Sequence, residues 1–216
     1  HLVLKYPQYE EYYEDVGGYV ILDNSLIELG GSVEVETVLE AADKINPHEI
    51  VLPDVFLDCD ETIKATEKAL DRLDKLGVSL QYNLQAVAHG KDMSDWKRCW
   101  DELNKIDELD CIAIPKVTTT IFGHRKDAVD YALKNKSLEK EIHLLGLWDT
   151  ILELKSYTPT QKKKIRGIDT SFVIHSVAEG MSYDRNEFDK PDYKIDLEID
   201  LEHDYNYDKK LLEKNK

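Results

Sequence analysis

The feature that most constrains this chain is a rhythm. Short apolar, β-branched runs recur at Leu2–Leu4, Tyr19–Leu22, Ile50–Leu52, Ser79–Leu84, Cys111–Ile114, Ile142–Leu147 and Ile165–Ile168. From the second to the sixth they lie about thirty residues apart, the length of one strand–helix–strand repeat. Runs that are apolar throughout suit strands buried on both faces of a parallel sheet. Between them the periodicity turns helical. Val35–Ile45 sets Val38, Leu39, Ala42 and Ile45 at helical spacing, and Asp60–Leu76 sets Ile63, Ala69, Leu70, Leu73 and Leu76 on one face before Gly77. Ser94 reads as the cap of a helix over Asp95–Leu109, striped by Trp96, Trp100, Leu103 and Ile106. Arg125–Lys136 and Asp149–Lys155 predict two shorter helices.

Seven strand candidates with helices between them fit a doubly wound sheet or a (β/α)8 barrel. The expected fold is a compact TIM-like (β/α)8 barrel, irregular at its last strand, where Ile195–Ile199 alternates as a half-exposed strand. The expected organisation is one catalytic domain over 1–184 and an acidic extension over 185–216. A length of 216 residues suits a single domain, and 42% hydrophobic residues suffice for a core, which excludes a wholly disordered chain. The net charge of 28 − 44 = −16 excludes a generic basic nucleic-acid coat but not a local basic patch. Cys59, Cys99 and Cys111 are odd in number and far apart, with no C-x-x-C pair. They argue against a disulfide framework or structural zinc and for a cytoplasmic protein. No apolar run approaches the ~20 residues of a membrane span, and no secretory signal pattern is present.

In α/β barrels the site forms at the C-terminal ends of the strands. Those ends read Asp23-Asn24-Ser25, Pro53-Asp54, Asn83-Leu84-Gln85, Pro115-Lys116, Leu145-Gly146-Leu147 and Asp169-Thr170-Ser171. Any single Asp there reads first as a helix cap or turn residue. Three of them, Asp23, Asp54 and Asp169, converging on one mouth read as a site. Clustered carboxylates suit Mg²⁺. They also suit glycosyl chemistry, where one carboxylate meets the anomeric carbon and a second moves the proton. An amide beside a carboxylate can hold a planar base, a role open to Asn83 and Gln85.

This ordered set resembles the tRNA-guanine transglycosylase family, and more closely its short phage-type and DNA-acting relatives, from Tyr19 to Ser171. Leu22-Asp23-Asn24-Ser25 is similar to the family's Asp-Ser-Gly segment. Leu52-Pro53-Asp54 resembles the segment whose Asp reads the base, and Leu84-Gln85-Ala86-Val87 the one whose Gln holds it. Cys111–Pro115 resembles the strand ending beneath the base, Leu144–Leu147 the Met-Gly-Val strand, and Arg166-Gly167-Ile168-Asp169 the strand of the nucleophilic Asp. The resemblance implies a (β/α)8 barrel, Asp169 as nucleophile, Asp23 as proton carrier, and a substrate pocket of Asn24, Asp54, Asn83, Gln85, Lys116 and Gly146. It implies no cofactor and no metal.

The departures redirect the substrate. Pro115-Lys116 replaces a Gly-Gly, Asp-Asn-Ser-Leu replaces Asp-Ser-Gly-Gly, and the Cys-rich subdomain used in tRNA docking has no counterpart. The expected partner is therefore DNA carrying a modified base, flipped out or single-stranded, or else a free nucleoside or nucleobase. DNA contacts are expected from Lys116, His124, Arg125 and Lys126, and from Lys162, Lys163, Lys164 and Arg166. His89 and His175 are further candidates. Water entry makes a DNA glycosylase and base entry a transglycosylase, in a phage or in a host defending against one. The alternatives are another small-molecule or Mg-dependent barrel enzyme, or a non-enzymatic acidic protein that binds a nucleotide or mimics DNA through Asp192–Asp208.

Overall fold

The structure, a computed structural model, describes residues 2–15, 18–78, 81–135, 140–147, 151–178, 180–183 and 210. In chain order the elements are α1 (Leu2–Lys5), α2 (Gln8–Asp15), β1 (Ile21–Leu22), α3 (Leu26–Leu29), α4 (Val35–Ile45), β2 (Glu49–Val51) and α5 (Cys59–Leu76). Then come β3 (Asn83–Val87), α6 (Met93–Leu103), β4 (Cys111–Pro115), α7 (Thr118–Phe122), α8 (Arg125–Asn135) and β5 (Glu141–Leu145). The last are α9 (Leu152–Ser156), α10 (Pro159–Lys164), β6 (Ile165–Asp169) and α11 (Phe172–Ala178).

The six strands among the described residues are all parallel and pair in chain order, β1 to β6. The sheet curls through 228° and its two edges stop 9 Å apart. The closed eight-stranded TIM barrel expected from the sequence is thus corrected to an open half-barrel. The first apolar run, Leu2–Leu4, is a helical turn that buries Val3 and packs with α2 on α4. The eighth-strand candidate, Ile195–Ile199, and the acidic extension after 184 lie outside the described residues, Lys210 aside.

Side chains alternate across each strand. Ile50, Leu52, Leu84, Ile112, Ile114, Ile142 and Leu144 face outward and join Leu73, Trp96, Trp100, Leu103 and Ala128 of the helices in the main core. Val51, Val87 and Ala113 face the lumen, backed by Ile21 and Leu145. At its lower, N-terminal end the lumen is polar. Fully buried Glu49 receives both terminal nitrogens of Arg166, the Nη2 bond being 2.8 Å. Nη2 also donates to Gln85 Oε1 at 3.0 Å, and the guanidinium lies 5.6 Å from the centre of the Tyr19 ring. A register shift lets this happen. His143 pairs with Gly167 while Ile142 pairs with Ile165, so Arg166 is the extra residue of a β-bulge that turns its side chain inward.

Helix ends follow local chemistry. Asp58 caps α5 by accepting the Glu61 N–H, and Gly77 ends it at φ 71°. The expected cap Ser94 is replaced by Asp92, whose side chain accepts from Asp95, so α6 starts earlier than the sequence suggested. Gly90 lets the loop after β3 press on this helix start: a Cβ there would lie 2.3 Å from the Trp96 nitrogen. Gly90→Ala is expected to destabilise the fold by about 1–3 kcal/mol through overpacking, read as a lower Tm.

All three cysteines are free and buried. Burial pushes the Cys59 thiol up to about 11 and raises Cys99 and Cys111 as well. In the unfolded chain these thiols ionise near ~8.5. Their folded values are raised, so stability is complete below that pH and is lost as pH rises toward the folded values. Denaturant titrations under reducing conditions should show this alkaline loss, and Cys59→Ala should reduce it.

Candidate functional site

The C-terminal strand ends assemble one cavity of about 470 Å³. Asp23, Asn24, Asp54, His89, Lys116, Gly146 and Asp169 line it, with Leu26, Ile27, Phe56, Val87 and Leu145 as apolar walls. Three carboxylates from three strand ends therefore meet at one mouth, as the sequence predicts.

Their surroundings differ. Asp54 is buried, only 3% exposed. One of its oxygens accepts Asn24 Nδ2 at 2.7 Å and the other meets His89 Nε2 at 2.6 Å. His89 Nδ1 accepts the Leu57 N–H at 3.4 Å, so Nε2 carries the proton that faces Asp54. Ser32 ties both the N–H and the carbonyl of Asp54. Leu57 and Ser25, in the loops after β2 and β1, hold φ of 59° and 62°. Such left-handed backbone is strained for a residue with a side chain and persists where surrounding bonds fix it. Asn24 also donates to the Leu52 carbonyl and accepts the Leu26 N–H. Its amide serves the wall of the cavity and the orientation of Asp54.

Asp23 and Asp169 are exposed. Asp23 Oδ2 accepts the Ser25 N–H at 3.0 Å. Asp169 Oδ1 accepts the Gly146 N–H at 3.0 Å and lies 3.4 Å from His143 Nε2. Gly146 holds φ 67°, and a Cβ there would press on Lys116 Cδ at 3.1 Å. That close approach brings the Lys116 stem against the floor of the mouth.

Several expected ligand contacts fall elsewhere. Asn83 opens β3 rather than ending it, because its pairing partner is Glu49 at the start of β2. It donates to the Tyr19 hydroxyl at 2.8 Å, at the end of the lumen opposite the mouth. Gln85 sits two residues on, spent in part on Arg166. Burial alone would lower the Arg166 guanidinium, but its bonds to Glu49 and the charges of Glu49 and Glu141 hold it above its usual value. Burial also raises the Tyr19 hydroxyl, against the Asn83 hydrogen bond and with the help of Glu49. Arg166 is thus a lumen strut rather than a surface cation. Lys162, Lys163 and Lys164 close α10 just before β6, again at the lower end, and are exposed. His124 is exposed and Lys126 half-buried at the start of α8. His175 lies in α11.

Arg125 is only 2% exposed. Its guanidinium donates to the carbonyls of Ile114, Leu145 and Gly146, at 3.3, 3.0 and 2.7 Å, and to Glu153 at 2.6 Å. It clamps the ends of β4 and β5 from behind the cavity. Sequence reasoning missed His143 as a site residue. Its signal was the alternation Glu141, His143, Leu145, which puts three side chains of β5 on the lumen side.

Among the described residues no group of three His, Cys, Asp or Glu side chains is placed to hold a metal ion. No helix among them is long and apolar enough to cross a membrane. The sequence matches no family model and no curated protein. The terms the resemblance suggested, glycosylase, transglycosylase and phage defence, therefore have no such match behind them, and its TIM barrel is replaced by the half-barrel.

Arg125→Ala is expected to cost about 3–5 kcal/mol, because Glu153 and three carbonyls lose a buried partner. Arg125→Lys should recover only part of this, since an ammonium cannot reproduce the planar fork. Urea unfolding of the two variants measures both values.

Proposed function

We propose that the mouth is the active site of a small half-barrel enzyme that breaks the N-glycosidic bond of a nucleobase-bearing small molecule, a nucleoside in size. The observation that carries this reading is the shared cavity of Asp23, Asp54 and Asp169, with one carboxylate buried and two exposed to solvent. That division suits a base reader beside two reacting groups.

Asp54, oriented by Asn24 and His89, accepts hydrogen bonds from the donor edge of the base. Asp169 attacks the anomeric carbon as the carbon–nitrogen bond breaks, and the electron pair leaves with the base. Asp23 carries the proton to or from the base nitrogen. Water then takes the sugar from Asp169, or a second base does so and the reaction is an exchange. Ile27 and Phe56, exposed at the rim, offer apolar surface to the faces of the base.

The placement of cations favours a small substrate over a strand. Arg125 and Arg166 are internal, and the lysines of α10 lie at the opposite end of the sheet. Of the cations expected on DNA, Lys116, His124 and Lys126 remain near the mouth. That small set leaves a single extruded nucleotide as the second reading, carried by the resemblance of the strand ends.

The test incubates wild type and Asp169→Asn with free nucleosides, including 7-deazaguanine types, and with single-stranded and duplex oligonucleotides carrying the same bases. Released base is followed by mass spectrometry. We expect release from nucleosides, reduced at least ~1000-fold in Asp169→Asn at unchanged Tm. Release from oligonucleotides alone would assign the strand as substrate. Equal activity in Asp169→Asn would overturn the mechanism.

A further inference from the structure

Building on that reading, we propose that His143 is the positioning residue of Asp169: once substrate docks, its Nε2–H joins the Gly146 N–H on Oδ1 and leaves Oδ2 as the attacking oxygen. The geometry is specific. His143 is 5% exposed, yet neither ring nitrogen makes a hydrogen bond among the described residues. A buried polar ring without a partner is costly and calls for a reason. Its neighbours in register are Ala113 and Gly167, the two smallest side chains available. A Cβ on Gly167 would already touch ring Cε1 and Nδ1 at 3.5 Å. The bulge at Arg166 is what sets Gly167 beside the ring, so the same irregularity that builds the lumen strut also makes room for the imidazole.

The ring points one nitrogen at the site. Nε2 is 3.4 Å from Asp169 Oδ1, the oxygen that already accepts the Gly146 N–H at 3.0 Å. Contacts of this length in a free enzyme shorten when substrate docks. Two donors on one carboxylate oxygen act twice in the reaction. In the first step the Oδ2–carbon bond forms while the carbon–nitrogen bond breaks and its electron pair goes to the base. In the second, water oxygen bonds the anomeric carbon, the Oδ2–carbon pair returns to the carboxylate, and the water proton passes to Asp23. The returning charge is then met by His143 and Gly146. Behind the ring, a cavity of about 610 Å³ lined also by Glu141 and Arg166 opens at the lower end of the lumen. This gives solvent a route to the far side of the imidazole.

Two measurements test the assignment. The first needs no substrate: ¹⁵N-labelled histidine spectra of the full chain should show Nε2 protonated and Nδ1 bare in His143, and Asp169→Asn should shift those signals. A dominant Nδ1–H form, or signals indifferent to Asp169→Asn, would overturn the proposal. The second uses the substrate found above. His143→Phe should lower kcat about 100-fold with KM unchanged, as expected for a misplaced nucleophile, and His143→Gln, which keeps a donor, should restore at least a tenth of wild-type kcat. Equal kcat in His143→Phe and wild type would overturn it too. If no nucleobase substrate is cleaved by wild type, the reaction proposed above fails, while the spectra still decide whether His143 holds Asp169.

Discussion

An arginine crossing the lumen holds this half-barrel in shape. Arg166 projects from β6, at one edge of the sheet, and meets Glu49 on β2, next to the other edge, while its face lies over Tyr19 just before β1. A six-stranded parallel sheet has no intrinsic reason to stop curling with its edges 9 Å apart. The paired charges supply one, because a buried carboxylate with no partner is far more costly than the pair. Gln85, Asn83 and Tyr19 complete the network: buried Gln85 gives its carbonyl oxygen to Arg166, while the hydroxyl of exposed Tyr19 donates to Glu49 and accepts from Asn83.

The mouth depends on a second set of clamps. Arg125 gathers the carbonyls at the ends of β4 and β5, which fixes Gly146 and so the N–H that Asp169 accepts. Asn24 joins the end of β1 to the end of β2 through the Leu52 carbonyl and Asp54. His89 joins the end of β3 to the same carboxylate. The exposed carboxylates Asp23 and Asp169 thus sit on a rim whose geometry is set by buried polar bonds. This is the division of labour expected of a site that must present reactive groups without letting them wander.

The order of strands and helices was legible in the sequence because apolar runs and helical stripes are local records of burial. Val35–Ile45 was read with its true limits, since its stripe and its end at Asn46 are both local. The convergence of Asp23, Asp54 and Asp169 was legible for a related reason: consecutive parallel strands carry their last residues to the same end of a sheet. Errors came where a short apolar run was judged by composition alone. Leu2–Leu4 reads as a strand but forms one helical turn against α4. Asn83 reads as a strand end, yet register with Glu49 makes it a strand start and moves it to the far side of the lumen.

The sequence by itself determined that alternating parallel strands and helices would bring three aspartates to one end, because period and spacing are properties of neighbours along the chain. Only the tertiary structure decided that the described strands form an open half-barrel rather than a closed barrel. It alone turned Arg125 and Arg166 into internal struts and laid His143 against Asp169. Those outcomes depend on a one-residue bulge and on which carbonyls and carboxylates are left buried without partners, and such demands exist only once distant segments have packed.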